Sequence, residues 1–393
     1  MVVLETGAAT PANIHPRWMS ALVLALSLLA VLYLGEGFYR ALVGVMPQDL
    51  ARRWLEGAYA VRHINAMDVY AGLHPAEPDL GPAHAGGYPP WSTALGLLIA
   101  PPIQKEWLRV YFAVLNAVAL WFTARYAARF ASGTPAGRLF VVSCLAISAN
   151  AVVLRHGQYG IIVNALLAGM LGALAAGSGP RGGLWLALAA LKPQTSAPFA
   201  LLWLRRRGVS ALGVAALVGA LGTLLFCLWV GTAPGRVFSQ VFGQAANWDG
   251  GDAGPLRILL SLGVPRGVAI PVLAVGCVGA AAVLLFRFRR ADPTIHAAIA
   301  CVSARLWTYH RRYDDMMLLF LLLPLGVAAV ERPGRFGWVP YLAVGVTLWL
   351  PLREVDHGPL LIAVKVATWV SALGWLLYGA AAKEAPAPRL QTP

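Results

Sequence analysis

The feature that most constrains this 393-residue chain is a succession of apolar blocks, each roughly 18–25 residues long. That is the length at which a helix spans a hydrocarbon core of about 30 Å. Ten such blocks read as spans: 18–35, 106–124, 138–154, 158–177, 208–231, 266–288, 293–309, 313–331, 336–352 and 358–381. Two further stretches are apolar but interrupted. Residues 90–104 lie between Tyr88-Pro89-Pro90 and Pro101-Pro102, and residues 182–204 are broken by Lys192-Pro193-Gln194. Irregular backbone at membrane depth survives only where protein or a wet cavity covers it, so both are expected to re-enter or break. The predicted fold class is therefore all-α: a polytopic transmembrane helical protein with about 10–12 membrane segments. The short alternating segments of an outer-membrane barrel are missing from the pattern.

Charge agrees with this reading. Only 12% of residues are charged, too few to cover a soluble domain of this size. The net charge of +14 does not signal nucleic acid, because the arginines form short clusters at the ends of apolar blocks. The four cysteines lie inside apolar blocks without metal-ligand spacing, as small core residues do. The run Trp18–Leu34 is expected to act as an uncleaved signal and first span. One transmembrane domain is expected over residues 1–383, with a Pro- and Ala-rich cytoplasmic tail over 384–393 that is expected to be disordered.

Lys/Arg bias sets the orientation. With the N-terminus inside and both interrupted stretches returning to the side they leave, the inside loops hold Arg125, Arg129, Arg138, Arg181, Arg205 to Arg207, Arg287, Arg289, Arg290, Arg332, Arg335, Lys383 and Arg389. Only four of the 17 acidic residues share that side, whereas six of the eight histidines fall outside. Both termini are then cytoplasmic and the chemistry-bearing groups face out. Ionisable groups at the membrane boundary are costly, which makes them functional candidates.

The first outside loop, 36–89, is long for a plain connection. Its start, Gln48 to Tyr59, reads as an amphipathic interfacial helix: Leu50, Trp54 and Leu55 share one face, and Arg52 is placed to pair with Glu56 four residues on. Asp49 falls in its first turn, where it either caps the helix or serves chemistry. Asp68, in Asp-Val-Tyr, is either a turn residue or a second carboxylate of the site. Tyr88-Pro89-Pro90-Trp91 sets the re-entry into the membrane. Gln158, after His156 and Gly157, either bonds a neighbouring helix or faces the site. Lys192 stands in an apolar segment at a proline break, so it faces a cavity or a structural ion pair. The densest polar run is Trp307 to Asp315, with Tyr309, His310, Arg311, Asp314 and Asp315. The sequence contains no Walker loop, Rossmann fingerprint, HExxH or GxSxG, so soluble-type nucleotide chemistry is unsupported.

These elements, in this order, resemble glycosyltransferase family 87, a group of membrane-embedded transferases of the GT-C type. The resemblance rests on Asp-Leu-x-x-Arg-Trp-x-Glu (Asp49 to Glu56), Asp-Val-Tyr (Asp68 to Tyr70), Tyr-Pro-Pro (Tyr88 to Pro90), Gly157-Gln158, Lys192 to Gln194, and Trp307 to Asp315, and spans roughly residues 18–331. It implies an inverting transfer of a sugar from a polyprenyl-phosphate donor to a hydroxyl on a lipid or glycan acceptor, at the extracytoplasmic face of the cell membrane. It implies Asp49 as general base, with Asp68 in reserve. Lys192, His310, Arg311, His156 and Gln158 would bind the donor's phosphate or sugar. Tyr88, Tyr309, Asp314 and Asp315 would receive the acceptor or shape the site. Mannose is the expected sugar, although no feature separates it from arabinofuranose or glucose. No cofactor or metal is required, and a metal held by Asp314 and Asp315 stays open. The competing classes are a secondary transporter and a lipid-linked-sugar flippase; against the former, no internal repeat is visible.

Overall fold

The computed structural model describes residues 17–84, 87–131, 135–204, 208–246, 253–332, 337–351 and 358–384. The described residues form helices and no strands. Each of the ten expected spans contains a helix. Among the described residues seven helices are long and apolar enough to cross a membrane: Arg17–Leu42, Lys105–Ala128, Ala136–His156, Val209–Trp229, Arg266–Arg287, Arg312–Glu331 and Pro359–Lys383. The other three spans hold shorter helices, Gly160–Ala175, Pro293–Leu306 and Val339–Trp349. Arg205 to Arg207, Arg335, the outside run Arg353 to His357 and the tail from 385 onward lie outside the described residues.

Burial sorts the helices into a centre and a periphery. Pro293–Leu306 and Leu319–Glu331 bury most of their side chains, including Ile299, Leu321 and Leu322, which leave almost no surface. The peripheral helices instead turn large apolar side chains outward, among them Val31, Leu228, Val275 and Phe286. Such an outer surface suits hydrocarbon, where exposed apolar side chains cost nothing.

Both interrupted stretches turn back on themselves. After Pro90–Gly96 the chain leaves the helix and reaches Ile103, whose carbonyl accepts from Trp54 Nε1 at 2.7 Å on the Gln48–Val61 helix. The entry of that stretch lies against the same helix, because Arg53 sits 4.6 Å over the Tyr88 ring. Likewise Gly179–Ala189 breaks before Pro193, and the short turns after it bring Trp203 back beside Gly182. The break before Pro193 frees backbone carbonyls, and the first stretch supplies donors to them. Trp91 Nε1 donates to Ala190 O at 3.1 Å, and Ser92 Oγ donates to Leu191 O at 2.5 Å. The start of the first stretch thus meets the break of the second, satisfying groups that hydrocarbon could not.

Candidate functional site

The amphipathic helix Gln48–Val61 lays Leu50 and Leu55 on the core and carries Asp49 in its first turn. The carboxylate does not cap: Pro47 is the N-cap and no side chain caps the turn. Instead Gln158 Nε2 donates to Asp49 Oδ2, and Arg52 Nη1 approaches Oδ1 at 3.3 Å. This contact depends on Gly157. It ends Ala149–His156 with φ +73°, and a Cβ there would lie 2.7 Å from Leu50 N. Only glycine gives both that conformation and that approach.

The expected Arg52–Glu56 pair is replaced by two pairs three residues apart, Arg52 with Asp49 and Arg53 with Glu56 at 2.6 Å. Glu56 is buried, and Arg53 reaches it while stacking on Tyr88. Arg52, whose side chain is more exposed, is left to Asp49. Burial raises the Glu56 carboxyl above its ordinary value against the pull of Arg53. Burial also raises the Tyr88 hydroxyl.

On the opposite wall the two late motifs interlock. Trp307 Nε1 donates to Gln194 O at 2.7 Å, which ties the Trp-x-Tyr-His run to the Lys-Pro-Gln break. Lys192 forms a buried ion pair with Asp314 and lies 4.6 Å over the Tyr313 ring. Asp314 Oδ2 also accepts from Arg311 N at 3.0 Å and lies 3.2 Å from His310 Nδ1. Burial holds the His310 imidazole below its ordinary value, offset in part by Asp314. Nδ1 is the donor in this contact, because a carboxylate oxygen accepts. Arg311 Nε donates to Tyr309 OH at 2.6 Å.

Between these walls lies a cavity of about 620 Å³, lined among others by Asp49, Tyr88, Gln158, Tyr309, Arg311 and Asp314. Four arginines (Arg52, Arg53, Arg266, Arg311) face it against two carboxylates (Asp49 and Asp314), so it suits an anion. Trp91, Phe238, Val241, Phe242 and Ile270 give it an apolar side as well. A second, apolar groove of about 570 Å³ shares Trp91, Pro193 and Phe238 with it and runs along Gly219 and Leu224 of the Val209–Trp229 helix.

Other candidates lie elsewhere. Lys192 and His310 stand behind Asp314, fully buried, rather than on the cavity surface. His156 is half-buried and outside the lining. Asp68 is bound by Arg236 Nη2 and Gln240 Nε2, both at 2.8 Å, and also lies outside the lining. Asp315 turns away from Asp314, to Arg305 at 2.7 Å and to Lys365. The adjacent carboxylates thus do not converge, each being taken up by its own cations, and the described residues hold no cluster of three metal-ligating side chains.

Sequence reasoning missed Arg305 and Lys365, although a charge inside an apolar span was the signal that singled out Lys192. Arg52, Arg53 and Arg266 read as interfacial charges, and nothing in their spacing marked them as cavity walls.

No curated protein matches the chain. The model of glycosyltransferase family 87 matches residues 87–308, more than half of the chain and a narrower stretch than 18–331. The match takes in Tyr88, His156, Gln158 and Lys192, whereas Asp49 precedes it and Asp314 follows it. With that match, the helical membrane architecture and the cationic cavity at the meeting of its motifs, the chain belongs to glycosyltransferase family 87.

Proposed function

We propose that this glycosyltransferase moves a sugar, with mannose the first choice, from a polyprenyl-phosphate donor to a hydroxyl of a lipid or glycan acceptor. The observation that carries the proposal is the junction of a cationic cavity with an apolar groove through Trp91, Pro193 and Phe238. A sugar joined to a lipid phosphate has this division: a polar anionic head of pocket size and a long apolar chain.

In the proposed reaction the acceptor oxygen attacks the anomeric carbon from the face opposite the phosphate. The carbon–oxygen bond to phosphate breaks, and its electron pair leaves with the polyprenyl phosphate. Asp49 takes the hydroxyl proton as the new bond forms, which requires the carboxylate to be ionised in the free enzyme. Gln158 and Arg52 each engage one of its oxygens and so fix its direction. Arg311 faces the same cavity as a donor for the departing phosphate. Lys192 and His310 act one step back, by fixing Asp314 and through it the Arg311 backbone. Arg53, Arg266 and Tyr88 complete the cavity wall.

The Lys/Arg bias supports placing this site at the extracytoplasmic face of the cell membrane, with both termini cytoplasmic. There a membrane-borne donor is at hand and cytoplasmic nucleotide sugars are not. The test is transfer by purified protein in lipid nanodiscs, supplied either with polyprenyl-phosphate mannose or with a nucleotide-linked mannose. The proposal expects transfer from the lipid-linked sugar only. Transfer from the nucleotide sugar without added polyprenyl phosphate would overturn it.

A further inference from the structure

Asp68 lies apart from the cavity, yet both of its side-chain partners sit on a helix that walls the cavity. That helix, Pro234–Ala246, presents two faces. Phe238, Val241 and Phe242 line the cavity, and Phe238 also lines the apolar groove, where it packs on Trp91 with ring centres 5.9 Å apart. Arg236 and Gln240, one turn apart, project from the other side. Both donate to Asp68 Oδ1, and Asn65 Nδ2 adds a contact to Gln240 Oε1 at 3.3 Å. The same stretch of loop holds the preceding helix: Trp229 Nε1 donates to Ala60 O at 2.6 Å, and His63 Nδ1 lies 2.9 Å from Trp229 O. Beneath the polar contacts, Ala60 and Met67 of the loop pack with Phe226, Val237 and Val241.

We infer that Asp68 is a positioning residue that latches the Pro234–Ala246 helix in place as the wall against which the donor's lipid chain is bound. The inference rests on the lipid-donor reading above. The first loop then has two separate tasks: Asp49 addresses the reacting hydroxyl, and Asp68, 19 residues later, sets the lipid side of the same cavity. The Asp68 carboxylate is largely covered, whereas Arg236 is half exposed, so the latch holds at moderate strength and can be cut without opening the core.

The test compares three proteins: Asp68→Ala, the double variant Arg236→Ala/Gln240→Ala, and the triple combination. Initial rates are measured in nanodiscs against lipid-linked donor and against acceptor. Asp68→Ala is expected to raise the donor KM roughly tenfold, the scale of a charged hydrogen bond after surface screening. Its kcat should stay within about twofold and its acceptor KM should not move. The double variant should show the same effect, and the triple no more than either, because all three cut one latch. Arg236 is exposed and Gln240 only partly buried, so the double variant keeps the test open if Asp68→Ala fails to fold.

A fall in kcat at unchanged donor KM in Asp68→Ala alone would overturn the inference, by placing Asp68 at the reacting centre. Unchanged kinetics in both variants would overturn it too, since the apolar packing would then suffice. If the latch alone fails, wild-type transfer from the lipid donor persists. If the wild type uses no lipid-linked donor, the functional reading fails and the latch with it.

Discussion

Lys192 and Asp314 form an ion pair with side chains 2% and 4% exposed, and Lys192→Met isolates what that pair contributes. Met preserves most of the apolar stem and removes the charge. Breaking a buried pair by removing one partner costs about 3–5 kcal/mol, because the other charge stays in a poor dielectric. Asp314 would still have the Arg311 N–H and His310 Nδ1, which hold the loss near the lower figure. The cation over Tyr313 also goes, adding about 1 kcal/mol. A total near 4 kcal/mol is expected. Lys192→Met/Asp314→Asn removes both charges and should recover about 2–3 kcal/mol relative to the sum of the single changes. The assay is the thermal midpoint of detergent-solubilised protein at one scan rate, for wild type, both single variants and the double. The double variant should melt above Lys192→Met. A single change costing under about 1 kcal/mol, or strictly additive losses, would contradict a coupled buried pair.

Gly157→Ala should cost about 1–2 kcal/mol for the left-handed backbone alone. Its Cβ also meets Leu50 N at 2.7 Å, so turnover should fall more than about tenfold as Asp49 is pushed from Gln158; unchanged kcat would contradict the packing described. Gly219→Leu adds a side chain where a Cβ meets nothing within 4 Å, inside the apolar groove. It should raise the donor KM by about tenfold without lowering kcat or the thermal midpoint, as measured by initial rates and melting. His310 has its folded-state pKa below the unfolded value of about 6.5, so the folded protein binds fewer protons between the two. Its contribution is present above about pH 6.5 and is lost as pH falls toward the folded value. Melting between pH 8 and 5 should show a shallower acid decline in His310→Asn; equal slopes would contradict this.

Much of this architecture was legible because membrane insertion writes simple rules into sequence. Span lengths predicted the ten helical segments, and the prolines at Pro101-Pro102 and Pro193 marked the two interruptions. That the start of the first stretch meets the break of the second, through Trp91 on Ala190 and Ser92 on Leu191, was not legible, since it depends on carbonyls freed by the break itself. Lys192 stood out as a charge at a helix break. Arg305 and Lys365 did not, because each sits in a segment apolar enough to read as an ordinary span despite its charge. Their partner Asp315 was consequently grouped with Asp314, although successive residues of the short helix Arg312–Leu318 point in different directions. The wall helix Pro234–Ala246 was lost within a long outside loop, and with it the partners that hold Asp68.

In the proposed reaction Asp49 takes the acceptor's proton. The most direct test of this step is the transfer rate of Asp49→Asn beside Asp49→Glu and wild type, with donor and acceptor saturating and folding verified by melting. Asn keeps the size and one acceptor oxygen, so donors from Gln158 and Arg52 remain near it, but it cannot accept the proton. A loss of about 10²–10⁴-fold in kcat is expected for Asp49→Asn at similar donor KM, with partial recovery in Asp49→Glu. Undiminished turnover by a folded Asp49→Asn protein would contradict it.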